Sequence, residues 1–202
     1  MGPRSYERAP DPVGVRRENV HALQGFDQPV FELLQNADDA RGPSGDKGQV
    51  VFRFADEELR VWNDAEFTLC EKFVTEPKSC GYATDAEMRL CDFHRFLNVA
   101  GGDKRYDEDT TGEFGIGFHC VYSVTDVPEV ASLGIHLIAV EQESGKEEFQ
   151  LCEEVCHRCS DSEGTTLWLP WARNPDSANR RVLELEKITD DVILKAEEAA
   201  CA

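Results

Sequence analysis

The sequence predicts an α+β layered sandwich. Three observations carry that expectation. Helix-like segments come in runs, strand-like segments come mostly as hairpins, and the regular strand–helix–strand alternation that builds a doubly wound parallel sheet is missing. The 202 residues, 41% of them hydrophobic and 30% charged, suffice for one domain with a sizeable core.

In chain order, residues 1 to 15 carry prolines and charges and read as a flexible N-terminal arm. A first helix is expected over Arg16 to Leu23, with Gly25 as its breaker. Pro29 suits the first turn of a second helix running to about Ala40, and Gly42-Pro43-Ser44-Gly45 then makes a loop. Gln49 to Phe54 and Leu59 to Trp62 read as strands joined by an acidic turn. Glu66 to Val74 and Asp85 to Val99 read as helices separated at Cys80-Gly81. Ala100 to Asp109 is glycine-led and charged, as a lid would be, and Phe114 to Thr125 reads as a loop entering a helix. Ile135 to Glu141 and Glu148 to Cys152 form a second hairpin around Ser144-Gly145. Thr165 to Leu169 is a last strand closed by Pro170, and one long polar helix spans Ser177 to Ala199.

The net charge of −19 argues against a nucleic-acid-wrapping surface and against adsorption to anionic membranes. It leaves room for an anionic nucleotide, because backbone amides and a divalent cation neutralise phosphates locally. No apolar run reaches transmembrane length and no secretory leader is visible, so the cytoplasm is the expected location and the 8 Cys are expected as thiols.

The chemistry-bearing motifs start in the second helix. Glu32, Asn36 and Asp39 share one helical face, while Leu33, Leu34 and Ala37 can dock it on a core. Two carboxylates and an amide oxygen suit a hard cation and a water, although a solvated polar face has the same composition. Gly112, Gly115 and Gly117, interleaved with Phe114, Ile116 and Phe118, bring backbone amides close together at the start of a helix. That arrangement suits a phosphate, and equally a structural turn. It is neither the dinucleotide fingerprint nor a P-loop. Asn63-Asp64 ends a strand, where such acceptors read the exocyclic amine of adenine or simply build a turn. Thr165, after Gly164, enters the last strand.

Taken in order, Glu32 to Ala40, then Asn63-Asp64-Ala65, then Gly112 to Phe118, then Gly164-Thr165, the chain resembles the GHKL ATPases: gyrase, the ninety-kilodalton heat-shock chaperones, histidine kinases and MutL. Thr111 to Asp126 is most similar to the heat-shock-chaperone and sacsin branch. The resemblance covers roughly residues 17 to 170. It implies a Bergerat-type two-layer sandwich: a mostly antiparallel mixed sheet, helices on one face, and a lid loop at about Gly101 to Thr111. It further implies ATP and Mg2+ as ligands, Asn36 on the Mg2+, and Glu32 as the catalytic base for the attacking water. Asp39, Asn63, Asp64, Gly112, Phe114, Gly115, Ile116, Gly117, Phe118 and Thr165 would line the nucleotide. Glu at position 32 favours hydrolysis over the phosphoryl relay of the kinases. Two departures stand out: Asn63 replaces the usual Asp, and Ala65 a glycine.

The implied function is slow Mg2+-dependent ATP hydrolysis driving a chaperone-like cycle, with residues 16 to 172 as the ATP-binding domain. Residues 173 to 202 would be a polar helix leading toward a transducer domain or protein partner, with a transient dimer also compatible. The alternative is a nucleotide-binding module that does not hydrolyse. More distant is a metal-binding interaction protein built on Cys152, Cys156 and Cys159, with His157 as a fourth ligand. The remaining cysteines are expected in the core.

Overall fold

The computed structural model describes residues 4–7, 17, 20–21, 28–40, 48–75, 80, 90–98, 117–140, 148–152, 156–160 and 163–201. Its strands are β1 (Arg4–Glu7), β2 (Val50–Phe54), β3 (Glu58–Asn63), β4 (Glu129–Ser132), β5 (Ile135–Val140), β6 (Glu148–Leu151) and β7 (Thr165–Pro170). Its helices are α1 (Gln28–Asp39), α2 (Asp92–Asn98), a 3-10 helix (Gly117–Ser123), α3 (His157–Ser160), α4 (Ala178–Leu183) and α5 (Asp190–Ala200).

The seven strands form one open sheet in the order β1-β6-β5-β4-β7-β3-β2. Every pairing among them is antiparallel, which corrects the expected mixed sheet. Both expected hairpins are present, β2–β3 and β5–β6. The sequence reading overlooked β4, a four-residue strand that pairs on both edges and so joins the two hairpins through β7. Arg4–Glu7, placed in the N-terminal arm on the sequence, pairs with β6 as an edge strand.

Period-two alternation assigns one sheet face to the core. Leu59, Val61, Val130, Leu137, Ala139, Phe149, Leu151, Leu167 and Leu169 point there and are buried. They meet Leu33 of α1, Phe93, Phe96 and Leu97 of α2, and Cys120, Val121 and Tyr122 of the 3-10 helix. Phe96 packs edge-to-face on Phe149 at 5.2 Å and on Phe118 at 4.7 Å, so aromatic contacts fasten α2 between the sheet and the 3-10 helix. Glu58, Arg60, Glu129, His136 and Trp168 alternate to the opposite face. There the short helix α3 packs on β4 and β5.

Four helical expectations change. Glu66 to Cys70 carries no regular structure and a turn follows at Glu71–Thr75, because Phe67, Cys70 and Phe73 each turn inward toward α2. Helix α2 begins only at Asp92, after Leu90 and Cys91 without helix; residues 85–89 and 99 of the expected Asp85–Val99 segment lie outside the described residues. The helix after the glycine run is of the tighter 3-10 type. The single C-terminal helix is two: Glu184 closes α4 with a left-handed backbone, φ 57°, and Ile188 then runs extended into the core, its N–H bonding Ala172 O at 2.8 Å.

Leu133 and Gly134 join β4 to β5 as a two-residue turn with φ 52° and 74°. A turn with both central residues at positive φ matches the strand twist but strains a leucine. Leu133 is exposed and offers little packing in return. Leu133→Asn is expected to raise stability by ~1 kcal/mol in urea titration, through removal of left-handed strain.

Candidate functional site

The end of β3 is built to hold a defined shape. Asn63 pairs with Thr165 in the β3–β7 register. Asn63 Oδ1 accepts from Ala65 N–H at 3.1 Å, and Asp64 Oδ1 accepts from Gln49 N–H at 3.2 Å. The first is the local bond that makes Asn a good turn residue, and the second ties Asp64 to the chain entering β2. The Thr165 hydroxyl lies 2.8 Å from Ala65 O and 3.0 Å from Ser132 Oγ, and Ser132 Oγ accepts from Phe67 N–H at 3.0 Å. One buried network therefore ties the strand end to β4, β7 and the chain leaving Asp64.

Gly164 makes this closeness possible. Its φ is +77°, and a Cβ there would stand 2.1 Å from Asn63 O. Any side chain must push β7 away from the strand end. Gly164→Ala is expected to cost ~2 kcal/mol of stability, read from the urea midpoint, by adding steric overlap to backbone strain.

The second part of the site is α1. Val30, Leu33 and Ala37 bury one stripe, and the helix packs against the 3-10 helix. Leu34, expected to dock, is 39% exposed, because only one stripe of so short a helix reaches the core. Glu32 and Asn36 lie half-buried one turn apart on the adjoining face. Burial raises the Glu32 pKa above the ordinary carboxylate value. Burial, and after it the Glu32 charge, pushes up the thiol of Cys120 in the 3-10 helix. The backbone of Asp39 closes the helix at this end.

A residue overlooked in the sequence clamps the other end of the 3-10 helix. Arg180, 1% exposed, projects from α4 and donates to Asp126 Oδ1 at 2.7 Å. It also donates to the carbonyls of Ser123, Glu186 and Thr125 at 3.2, 3.1 and 3.3 Å, and to that of Tyr122. Asp126 is held further by Ser177 Oγ at 2.8 Å, and its carbonyl accepts from Asn179 Nδ2 at 2.8 Å. The last turn of a helix leaves carbonyls without partners inside the helix, and a buried guanidinium satisfies several at once.

The structure thus brings Asn63, Asp64 and Thr165 together at one strand end, and Glu32 and Asn36 together on α1 against the element that carries Gly117 and Phe118. Gly112, Phe114, Gly115, Ile116 and the stretch expected as a lid, with Lys104 and Arg105, lie outside the described residues.

The family model described as the Sacsin domain matches residues 17–144, well over half of the chain. The chain belongs to the Sacsin domain family. A curated relative, Protein NO VEIN of Arabidopsis thaliana, is 29% identical over 107 residues. That stretch is 53% of this chain and 3% of the relative's length. The match covers α1, β2, β3, α2 and the 3-10 helix of this Sacsin domain and stops after β5.

The cysteines of the domain do not scatter. Cys152, Cys156 and Cys159 converge as their spacing suggests, but the histidine among them is His136 of β5, and the exposed His157 is not part of the group. Cys70, Cys80, Cys91 and His94 converge in a second, buried group, where the sequence suggested ordinary core thiols. No disulfide is formed. Burial drives the Cys91 and Cys159 thiols up to about 12. At Cys156 burial is outweighed by hydrogen bonds from Cys159, Cys152 and His136, which bring it down to about 6. Among the described residues no helix is long and apolar enough to cross a membrane.

Proposed function

We propose that this Sacsin domain binds ATP with Mg2+ in a GHKL-type site and hydrolyses it slowly, as one step of a chaperone-like conformational cycle. The observation that carries the reading is the Asn63–Thr165 pairing, drawn tight by Gly164, in a chain whose α1 places Glu32 and Asn36 against the 3-10 helix following the glycine run. Two of the parts the reading requires lie among the described residues, a strand end for the base and a polar helix face for water and cation; the glycine run would supply backbone for the phosphates.

Asn63 Oδ1 holds one backbone N–H and keeps a second lone pair, enough to accept from an adenine amine. Asn36 offers a neutral oxygen suited to a hard cation, which would complete its shell with phosphate oxygens and water. When bound, Mg2+ neutralises phosphate charge. Glu32 takes the proton from the attacking water as its oxygen bonds to the γ-phosphorus, and the bond to ADP breaks. The raised pKa of Glu32 makes it a stronger base than an ordinary carboxylate once it has ionised. Partner proteins, a transducer domain or a transient dimer would read out the cycle. The chemistry at stake is small-molecule binding, and the net charge of −19 argues against nucleic acid as the partner.

The test is the Mg2+ dependence of ATP affinity. Asn36→Ala is expected to weaken ATP binding ~10-fold with Mg2+ present, about 1.4 kcal/mol, and to leave it unchanged in a chelator. An equal Mg2+ effect in parent and variant removes Asn36 from the cation site.

A further inference from the structure

We propose that the two cysteine–histidine groups are paired structural zinc sites, each of three thiolates and one imidazole: Cys70, Cys80, Cys91 and His94 in the first, His136, Cys152, Cys156 and Cys159 in the second. Within each group the four ligand atoms lie within 4.8 Å of one another. Zinc–sulfur and zinc–nitrogen bonds in a tetrahedron imply sulfur–sulfur edges of about 3.8 Å and sulfur–nitrogen edges of about 3.5 Å. The first group has Cys70 Sγ 3.5 Å from His94 Nδ1, Cys80 Sγ 3.9 Å from Cys70 Sγ, and Cys91 Sγ 3.0 Å from His94 Nδ1. In the second, Cys156 Sγ stands 3.4 Å from His136 Nδ1 and 3.0 Å from Cys159 Sγ. Three of the five match those edges to about 0.1 Å; Cys91–His94 and Cys156–Cys159, at 3.0 Å, are shorter and would open by about 0.5 and 0.8 Å around an ion. An iron–sulfur cubane attaches its cysteines to separate irons and needs them farther apart.

Core thiols acting as small hydrophobes explain burial but not this arrangement. The same chemistry recurs on unrelated parts of the fold with the same local devices. Each site uses a pair with two residues between its members, Cys91 with His94 and Cys156 with Cys159. In each, a backbone N–H donates to sulfur: Cys91 N to Cys80 Sγ and Cys159 N to Cys156 Sγ, both at 3.3 Å. Such bonds support negative sulfur. Each imidazole turns Nδ1 toward the thiols.

The surroundings hold both sites ready. Thr68 and Asp92 bond reciprocally, Thr68 N–H to Asp92 Oδ2 at 2.8 Å and Asp92 N–H to Thr68 Oγ1 at 2.9 Å, which draws Cys70 to the start of α2. At the second site His136 Nε2 lies 2.9 Å from Glu129 Oε2. With that nitrogen protonated, Nδ1 is left as a lone pair facing the cysteines, the carboxylate–histidine pairing that orients metal-bound imidazole. Arg158, between the two cysteines, bonds Glu129 and also Glu58, the latter at 3.2 Å.

Zinc suits what these segments lack. Among the described residues, the chain between β3 and α2 carries no helix or strand, and the connection from β6 to β7 carries only the four-residue α3. One ion would fasten the first to the base of α2, the other would pin α3 across the outer sheet face. Binding would release the thiol protons to solvent, leaving one negative charge at each fully deprotonated site.

The experiment uses the full chain purified without chelators, with metal counted by plasma mass spectrometry. Two zinc ions per chain are expected. Cys91→Ser and Cys156→Ser should each lower the count to one. Cobalt substitution should give thiolate charge-transfer bands and tetrahedral d–d bands at both sites. Since cysteine variants can fail to fold, Glu129→Gln supplies a milder test: two zinc ions retained, with affinity at the second site alone weakened 10–100-fold against a competing chelator. No stoichiometric zinc, either as purified or after reconstitution, overturns the proposal, as do iron or a disulfide at these cysteines. A count of one overturns it for the group whose substitution leaves the count unchanged.

Discussion

Arg180→Ala is expected to destabilise the domain by ~3–5 kcal/mol, a large share of the ~5–15 kcal/mol typical of native proteins. The substitution leaves Asp126, 8% exposed, without its cationic partner, and removes the donor for carbonyls of Tyr122, Ser123, Thr125 and Glu186. It also undoes a link by which one side chain spans α4, the Tyr122–Asp126 segment and the chain after Glu184. Guanidinium unfolding at neutral pH measures the loss. Asp126→Ala should cost a similar amount, and Arg180→Met with Asp126→Ala clearly less than the two single losses together, because the pair acts as a unit. Additive losses would mean that the ion pair is not the source. A loss under ~1 kcal/mol for Arg180→Ala would mean that the clamp is incidental.

The second large effect falls on turnover. Under the proposed function, Glu32→Gln lowers the hydrolysis rate by ~10²–10⁴ while ATP affinity stays within a few-fold, since general-base catalysis acts in the transition state. The pH dependence has a definite sign. Burial raises the Glu32 pKa, so the base is still protonated where an ordinary glutamate has ionised. Turnover should rise with pH through a value above the usual carboxylate range, and that limb should vanish in the variant. For stability the sign is opposite: the folded protein binds this proton more tightly than the unfolded chain, so the Glu32 contribution diminishes as pH rises through the raised pKa. Steady-state phosphate release across acidic to neutral pH checks the first statement. Unchanged turnover in Glu32→Gln removes Glu32 from the chemistry.

The sheet was largely readable because strand periodicity and turn residues are local signals. Gln49 to Phe54, Leu59 to Trp62 and Thr165 to Leu169 alternate, and each became a strand. Strand β4 was missed because four residues give too short a period to detect. The C-terminal break was missed because Glu184 adopts a left-handed backbone that its side chain does not announce. Asn63, Asp64 and Thr165 were legible as strand ends, and their mutual pairing is what the structure adds. The histidine partners of the cysteines were illegible for a different reason. His136 joins Cys156 across a strand and a loop, and Cys70 joins Cys91 across 20 intervening positions, distances that only the fold closes. The Cys91-x-x-His94 spacing was the one local sign, and Arg180 gave none in a run of polar residues.

The central claim is that the strand end at Asn63 and the polar face of α1 together bind a nucleotide. Calorimetric titration of the full chain with ATP and Mg2+ tests it most directly. The account predicts saturable one-to-one binding, competed by ADP and markedly weakened by Gly164→Ala in protein shown to remain folded. Absence of saturable binding by the folded parent chain would contradict it.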